Sequence, residues 1–269
     1  MRSWTLTTFF VLAILVSWIV WAPLVLVGLG ARPAPAPTFL HLVGALGPLT
    51  AAFLVTAVSK GSEGVRRLFE RCLGLRRQWG WALVGVAAPL LIFFVSVGVA
   101  GIVGDEVTWG RFGMSVEYPA LSRWQYWLAC IFFYGFGEEV GWRGFALPRL
   151  QARQSALVAA LIVGVVWALW HLPLFAFAGG LSAKGIVGII GWSVSIVTGS
   201  ILMTFLFNQS GGSVLAVALF HGVLDILMTS PVAASLPSIM GAILTVLGIA
   251  VVVVLRPTNL ARAERQREP

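Results

Sequence analysis

Long apolar runs alternate with short polar or proline-rich segments along the whole chain. The runs lie at 6–29, 39–59, 80–104, 124–147, 155–177, 185–207, 213–230 and 235–255. About 20 mainly apolar residues are enough for a helix to cross the hydrocarbon layer of a bilayer. The pattern therefore predicts an all-α fold, a polytopic membrane helical bundle with about eight transmembrane helices.

The segments between the runs contain residues that end helices or face water. Residues 31–37 are rich in Pro, 60–78 are rich in Arg, 105–122 combine acidic residues with Gly and Pro, and 208–212 form a polar turn. We expect loops at all four places. The first run exceeds the ~7–15 apolar residues of a signal peptide, so we expect it to remain as the first span.

Composition supports a membrane protein over a soluble one. Of the residues, 59% are hydrophobic and only 10% are charged, whereas soluble domains carry about 25% charged residues. We therefore expect one integral-membrane domain over 1–269. The net charge of +8 does not indicate nucleic acid, because the basic residues form short blocks between apolar runs. The expected surroundings are the lipid bilayer.

The positions of the basic residues predict the orientation. If the spans alternate in direction, only Arg32, Arg111, Arg123 and Lys184 lie on the side opposite the termini. The others lie on the side of the termini, and among them are Arg2, Arg76, Arg77, Arg143, Arg149 and Arg153. Cytoplasmic loops carry an excess of Lys and Arg, so both termini are expected in the cytoplasm. Arg greatly outnumbers Lys, as in GC-rich bacteria, so we expect a multi-pass protein of a bacterial plasma membrane.

Ionisable residues within or beside three of the runs are candidates for a functional site. A charge at a helix centre costs ~2.5–3.5 kcal/mol on insertion scales, and such residues usually face a cavity or a partner. A single one could belong to a structural ion pair. A group gathered in three runs instead favours a site, and its members are Glu138, Glu139, Arg143, His171, His221 and Asp225.

Helical spacing predicts different surroundings for the two adjacent glutamates. Glu139 and Arg143 are four residues apart with the acid first, which favours an ion pair. Glu138 is turned about 100° away, and its neighbours one turn away are Tyr134 and Trp142. Glu138 is therefore left unpaired in aromatic surroundings, where it could act as a general base.

The two histidines of the cluster lie at different distances from the starts of their runs. His221 and Asp225 are four residues apart and share one helix face. His171 would lie ~24 Å along the fifth helix, whereas His221 would lie only ~12 Å along the seventh. A shared site requires the fifth helix to begin outside the bilayer or the spans to tilt. His41 stands alone at the outer end of the second run, and we expect it at the membrane interface.

The ionisable cluster resembles the motifs of the CPBP family of intramembrane proteases. Glu138–Arg143 fits E-E-x-x-x-R, Trp167–His171 fits F-x-x-x-H with Trp for Phe, and His221–Asp225 fits H-x-x-x-N/D. This family includes type II CAAX prenyl endopeptidases and bacterial proteins linked to bacteriocin processing or self-immunity. The motif-bearing protease core would cover about 123–230, and the eight-span layout extends the resemblance over most of the chain.

The resemblance implies an intramembrane endopeptidase of the glutamate type, a hydrolase acting on a peptide or protein that is lipidated in CAAX-type members. Glu138 and His171 would activate a water, while His221 and Asp225 would stabilise the oxyanion. The supporting residues would be Glu139, Arg143 and Trp167, the last as an aromatic wall.

Asp225 departs from a simple oxyanion-binding role, because an ionised carboxylate accepts hydrogen bonds and repels an oxyanion. It would serve if it stayed protonated, or it could orient His221 or join a metal site. Two histidines with carboxylates could ligate Zn²⁺, but no H-E-x-x-H is present and a Glu-polarised water needs no metal. We expect no cofactor, with Zn²⁺ as the alternative.

Two other functions remain open. The buried charges could relay protons in a membrane transporter. The chain could also be a catalytically silent immunity or scaffold protein of the membrane.

Overall fold

The computed structural model describes residues 4–31, 35–73, 79–177 and 180–268, and within these ranges the regular structure is helical throughout. This confirms the predicted all-α polytopic bundle. In chain order the helices are α1 Trp4–Gly28, α2 Phe39–Gly44, α3 Gly47–Leu73, α4 Trp79–Ile102, α5 over 123–151, α6 Ala156–Trp170, α7 Gly185–Gln209, α8 Val214–Thr229 and α9 Leu236–Val254.

The helices differ in whether they can cross a bilayer alone. Among the described residues, the segments long and apolar enough are Thr5–Gly28, Phe39–Leu73, Trp79–Ile102, Leu181–Gln209 and Leu236–Val254. With α5, α6 and α8 they account for the predicted runs. The α6 and α8 helices have 15 and 16 residues, about 22 and 24 Å, which is shorter than a hydrocarbon layer of about 30 Å.

Most of the described part of the arginine-rich segment is helical, so the prediction of a loop over 60–78 was wrong there. The α3 helix breaks at Gly61, which has φ 63° and ψ −163°, and then continues to residue 73. Positive φ favours glycine. After the break, Arg66 forms ion pairs with Glu63 and Glu70 at helical spacing, which supports an exposed helix. Residues 74–78 lie outside the described residues.

The helix that carries the glutamate pair is not a regular α-helix. In α5 the short helical segment Gly137–Glu139 lies between two π-helical segments, Cys130–Phe136 and Val140–Ala146. Such wide turns often occur at functional sites, and they change the angle between successive side chains. Trp142, in the second π-helical segment, packs in the core against the ring of Phe9, with centroids 5.7 Å apart.

Several segments outside the helices lie together at each end of the bundle. At the tail end, the C-terminal segment 256–268 crosses α3, α5 and α7, where Glu268 contacts Lys60 and Gln266 N–H donates to Asn208. At the loop end, the segment 103–122 is joined to 230–235 through a hydrogen bond from Ser235 N–H to Asp105. Of the basic residues predicted to be cytoplasmic, Lys60, Arg71 and Arg149 contact Glu268 at the tail end, whereas Arg143 is buried inside the bundle. Arg2, Arg76 and Arg77 lie outside the described residues.

Two glycines allow α5 and α8 to approach closely. A Cβ at Gly135 would lie 2.4 Å from the Ala218 carbonyl oxygen, and one at Gly222 would lie 2.7 Å from the Ile131 Cα. Neither distance is sterically possible without a shift of the backbone. Small residues commonly serve this purpose between membrane helices. The close approach brings the glutamate pair of α5 beside the histidine of α8.

Candidate active site

The predicted ion pair of α5 is present and completely buried. Arg143 Nη1 donates to both carboxylate oxygens of Glu139, at 2.8 and 2.9 Å, and Arg143 Nη2 donates to Ser200 Oγ of α7 at 3.1 Å. Both charged side chains have an exposed fraction of 0%. A buried pair is stable only when its hydrogen-bonding groups find partners, so Ser200 contributes to holding this one.

His221 connects the ion pair to the second acid of α8. Its Nδ1 lies 2.9 Å from Glu139 Oε1, and its Nε2 lies 3.4 Å from Asp225 Oδ2. Glu139 thus accepts hydrogen bonds from both Arg143 and His221. The chain of ionisable groups runs from the buried core to Asp225, whose side chain is 31% exposed. Glu139 therefore orients a histidine on another helix in addition to pairing within its own.

Trp167 makes a contact with Glu138 that phenylalanine could not make. The indole Nε1–H donates to Glu138 Oε2 at 2.6 Å, and both side chains are buried. The sequence had suggested only an aromatic wall at this position. A short hydrogen bond of this kind fixes the orientation of the carboxyl group. The orientation of Glu138 is thus set by α6.

His171 is held by the same tryptophan. Its Nδ1 lies 2.7 Å from the Trp167 carbonyl oxygen. Because a carbonyl oxygen only accepts, Nδ1 carries the hydrogen, and Nε2 of the neutral ring keeps its lone pair. The His171 ring packs edge-on against Trp170 and Trp192, with centroids 4.7 and 5.4 Å apart. These contacts fix the direction in which Nε2 points.

Although His171 and His221 were expected at different depths along their helices, the rings of both lie close to the ring of Trp167. The centroid of its ring lies 5.7 Å from that of His171 and 5.2 Å from that of His221. His171 directly follows the short α6, and His221 lies in the middle of α8. Both imidazoles therefore reach one indole from two helices.

The four candidate residues line one cavity of about 240 Å³, namely Glu138, His171, His221 and Asp225. Large apolar side chains form much of the remaining wall, among them Trp21, Trp170, Trp192, Met203 and Leu244. An apolar pocket with a few convergent polar groups is typical of a binding or catalytic site. Glu117 and Thr229, which are exposed, belong to the lining, so the cavity opens towards the loop end.

The sequence did not reveal a second polar group on this wall. His41 Nδ1 lies 2.7 Å from Glu117 Oε1 and 3.5 Å from the Tyr134 hydroxyl, which in turn lies 3.0 Å from the Tyr118 hydroxyl. His41 is therefore not isolated, while its position at the membrane interface stays a prediction. Its partner Glu117 is 76 residues away in a loop, and no spacing rule connects the two.

The donor atoms do not fit a zinc site as they stand. Among the described residues, no three His, Cys, Asp or Glu side chains are grouped so that they could hold a metal ion. Each Nδ1 of His171 and His221 faces an oxygen partner, so only the two Nε2 atoms would be left for a metal, and Glu138 already accepts from Trp167. A structural or catalytic zinc needs three or four converging protein ligands.

Comparison with known proteins finds similarity to one group of proteases. A family model described as type II CAAX prenyl endopeptidase Rce1-like matches residues 119–227, which include all three motifs. CAAX prenyl protease 2 of Methanococcus maripaludis is 25% identical over 228 residues, covering 81% of this chain and 82% of the relative. These matches show that the chain is similar to type II CAAX prenyl endopeptidases, and they support the resemblance of its motifs to the CPBP family of intramembrane proteases.

Proposed function

We propose that the cavity is the active site of a glutamate-type endopeptidase in which Glu138 and His171 activate a water. The observation that carries this proposal is the link through Trp167, whose indole N–H holds Glu138 and whose carbonyl oxygen holds His171. A general base must be fixed within reach of the proton that it removes. Both groups face the same cavity.

The proposed reaction follows from these atoms. The water oxygen attacks the peptide carbonyl carbon, its proton passes to the Glu138 carboxylate, and His171 Nε2 accepts the hydrogen bond that orients the water. The tetrahedral intermediate then collapses. Glu138 returns the proton to the leaving nitrogen as the C–N bond breaks, which restores the carboxylate.

His221 is proposed to stabilise the oxyanion through Nε2–H. Its Nδ1–H donates to Glu139, so the ring is held by the buried ion pair. Asp225, 3.4 Å from Nε2, is proposed as a positioning residue that orients His221. Because Nε2 carries a single hydrogen, this role requires Asp225 to release its contact with that hydrogen as the oxyanion forms. Preorganised donors of this kind contribute strongly to catalysis in water-poor sites.

We propose that the reaction uses no metal ion. The support is that no three His, Cys, Asp or Glu side chains in the described part of the chain are grouped so that they could hold a metal ion. Metal analysis of the purified active protein tests this directly, together with activity after dialysis against a chelator. Stoichiometric zinc whose removal abolishes hydrolysis would overturn the metal-free mechanism.

The substrate is proposed to be a hydrophobic peptide or protein segment that enters from the non-cytoplasmic side. The basic tail end is expected in the cytoplasm, and the cavity opens at the opposite end. The apolar wall suits a hydrophobic segment, and a lipid-modified peptide is one such substrate. The chain would act as a single membrane domain with its protease core over about 123–230.

Cysteine labelling of intact cells tests this orientation. A Glu117→Cys variant is expected to react with a membrane-impermeant maleimide from outside, because Glu117 is exposed at the loop end. An Arg256→Cys variant at the tail end should react only after permeabilisation. The native Cys72 and Cys130 are buried, which keeps the background low. The reverse labelling pattern would place the cavity opening in the cytoplasm.

Replacement of Trp167 by Phe tests the proposed positioning of Glu138. We expect Trp167→Phe to lower kcat by about tenfold to a hundredfold with little change in KM, because one hydrogen bond to a charged group is lost. The control is Trp142→Phe, which removes a buried indole whose N–H has no partner among the described residues. Equal effects of the two variants on kcat would argue against a positioning role.

A proton-coupled transporter is the second candidate function. The observation that favours it is the linked series Arg143, Glu139, His221 and Asp225, which resembles a proton relay in a membrane. Proteoliposomes with a pH-sensitive dye separate the two functions. Proton flux that stops in Asp225→Asn, without any peptide cleavage by the native protein, would favour transport.

A further inference from the structure

A second polar site lies at the tail end, away from the active-site cavity. There, three cations surround the carboxylate of Glu268. Arg149 donates to both oxygens at 2.8 and 3.2 Å, Arg71 donates to Oε2 at 2.8 Å, and Lys60 donates to Oε1 at 2.8 Å. Three positive charges on one carboxylate leave an excess of positive charge at this place.

The cation cluster is fixed by the fold. The Arg149 side chain is only 2% exposed, and its Nη1 also donates to the Phe145 carbonyl oxygen. Arg71 Nη1 also donates to the carbonyl oxygen of Gly144. Although burial opposes its charge, Arg149, Lys60 and Arg71 hold the pKa of Glu268 below its ordinary value. The cluster therefore favours a bound anion.

A cavity of about 200 Å³ adjoins these cations. It is lined by Thr56, Lys60, Gly64, Arg67, Leu68, Arg71, Arg149 and Glu268. Thr56 is 2% exposed, and its hydroxyl has no hydrogen-bond partner among the described residues. An unpartnered buried hydroxyl is uncommon, because it leaves a desolvated donor unsatisfied. A ligand oxygen in the cavity would satisfy it.

The cavity lies where α3 leaves the apolar layer. Thr56 belongs to the apolar part of α3, and Lys60 and Gly61 mark its end. Val58 and Phe69, which flank this level, are 80% and 54% exposed and present apolar side chains outward. Lipid headgroups are expected at this depth, and basic pockets between membrane helices at the cytoplasmic face are suited to anionic headgroups.

We propose that the Thr56–Lys60–Arg71–Arg149 cavity binds the phosphate group of an anionic phospholipid. The cations would contact the phosphate oxygens, the Thr56 hydroxyl would donate to one of them, and the acyl chains would lie along the apolar face of α3. Glu268 shares the same cations, so the lipid and the C-terminal segment compete for them. This site is separate from the proposed peptidase and does not depend on it.

Native mass spectrometry of the full-length protein in detergent tests the lipid site. Phosphatidylglycerol and phosphatidylcholine are titrated separately, and inorganic phosphate is added in a third series. We expect a clear preference for phosphatidylglycerol, which weakens about tenfold in Thr56→Val because a hydrogen bond to a charged group is lost. The preference should disappear in Lys60→Gln/Arg71→Gln and strengthen in Glu268→Gln, since a competing anion is removed.

Arg256→Gln is the matched control, because Arg256 is an exposed cation at the same end and does not line the cavity. It should keep the native preference. Equal binding of the two lipids by the native protein, or an unchanged preference in Lys60→Gln/Arg71→Gln, would overturn the site. Binding of inorganic phosphate without a preference for phosphatidylglycerol would overturn the assignment to lipid. Weaker lipid binding in Glu268→Gln would contradict the competition.

Discussion

Glu138→Gln is expected to lower kcat/KM for peptide cleavage by at least about a hundredfold, the usual scale of general acid–base catalysis. The amide keeps the size of the side chain and can still accept the hydrogen bond from Trp167, but it cannot take a proton from water. Purified protein assayed on a cleaved peptide, with circular dichroism and thermal unfolding alongside, measures the effect. The fold should be retained.

The control for this variant is a carboxylate outside the cavity. Glu106 is exposed in the loop 103–122, and Glu106→Gln is expected to leave kcat/KM unchanged within error. Native-like hydrolysis by Glu138→Gln would remove Glu138 from the mechanism. Equal losses in the two variants would show that a change of charge anywhere near the loop end impairs the enzyme.

Arg143→Met is expected to destabilise the protein by about 3–5 kcal/mol, because it leaves the Glu139 carboxylate buried without its main partner. Thermal unfolding in detergent measures the loss. The matched control is Arg66→Met, which breaks helical ion pairs between exposed side chains, 59% exposed for Arg66 and 53% for Glu63. Exposed pairs contribute about 0–1 kcal/mol.

A double variant separates the stability lost by leaving Glu139 unpaired from the stability lost by changed packing. Glu139→Gln/Arg143→Met removes the carboxylate together with its partner, so it should recover part of the stability lost in Arg143→Met alone. If Arg143→Met proves no more damaging than Arg66→Met, the buried pair does not stabilise the bundle. The comparison is informative because both arginines pair with an acid on their own helix.

The fold was largely predictable because membrane helices must be apolar over a length set by the bilayer. Each predicted run contains helix. The helix after Gly61 was missed because exposed ion pairs stabilise it and it has no long apolar run. The π-helical segments beside Glu138 were missed for a different reason. No local pattern in 130–146 distinguishes a wide turn from a regular one.

The candidate site was predictable only where its members share a helix. The spacing of Glu139 and Arg143 indicated their ion pair, and that of His221 and Asp225 indicated a shared face. Contacts between helices depend on tertiary packing. The hydrogen bond from Trp167 to Glu138 spans 29 residues, and no sequence rule predicts it. The same holds for the pairing of His41 with the loop segment 103–122.

Peptide-terminus profiling of membranes tests the central claim most directly. Membranes from cells that carry the native protein are compared with those that carry Glu138→Gln at equal expression. The account predicts a set of new N- and C-termini, from hydrophobic segments, that is present with the native protein and absent with Glu138→Gln. Identical sets of termini in the two membranes would contradict proteolysis by this site.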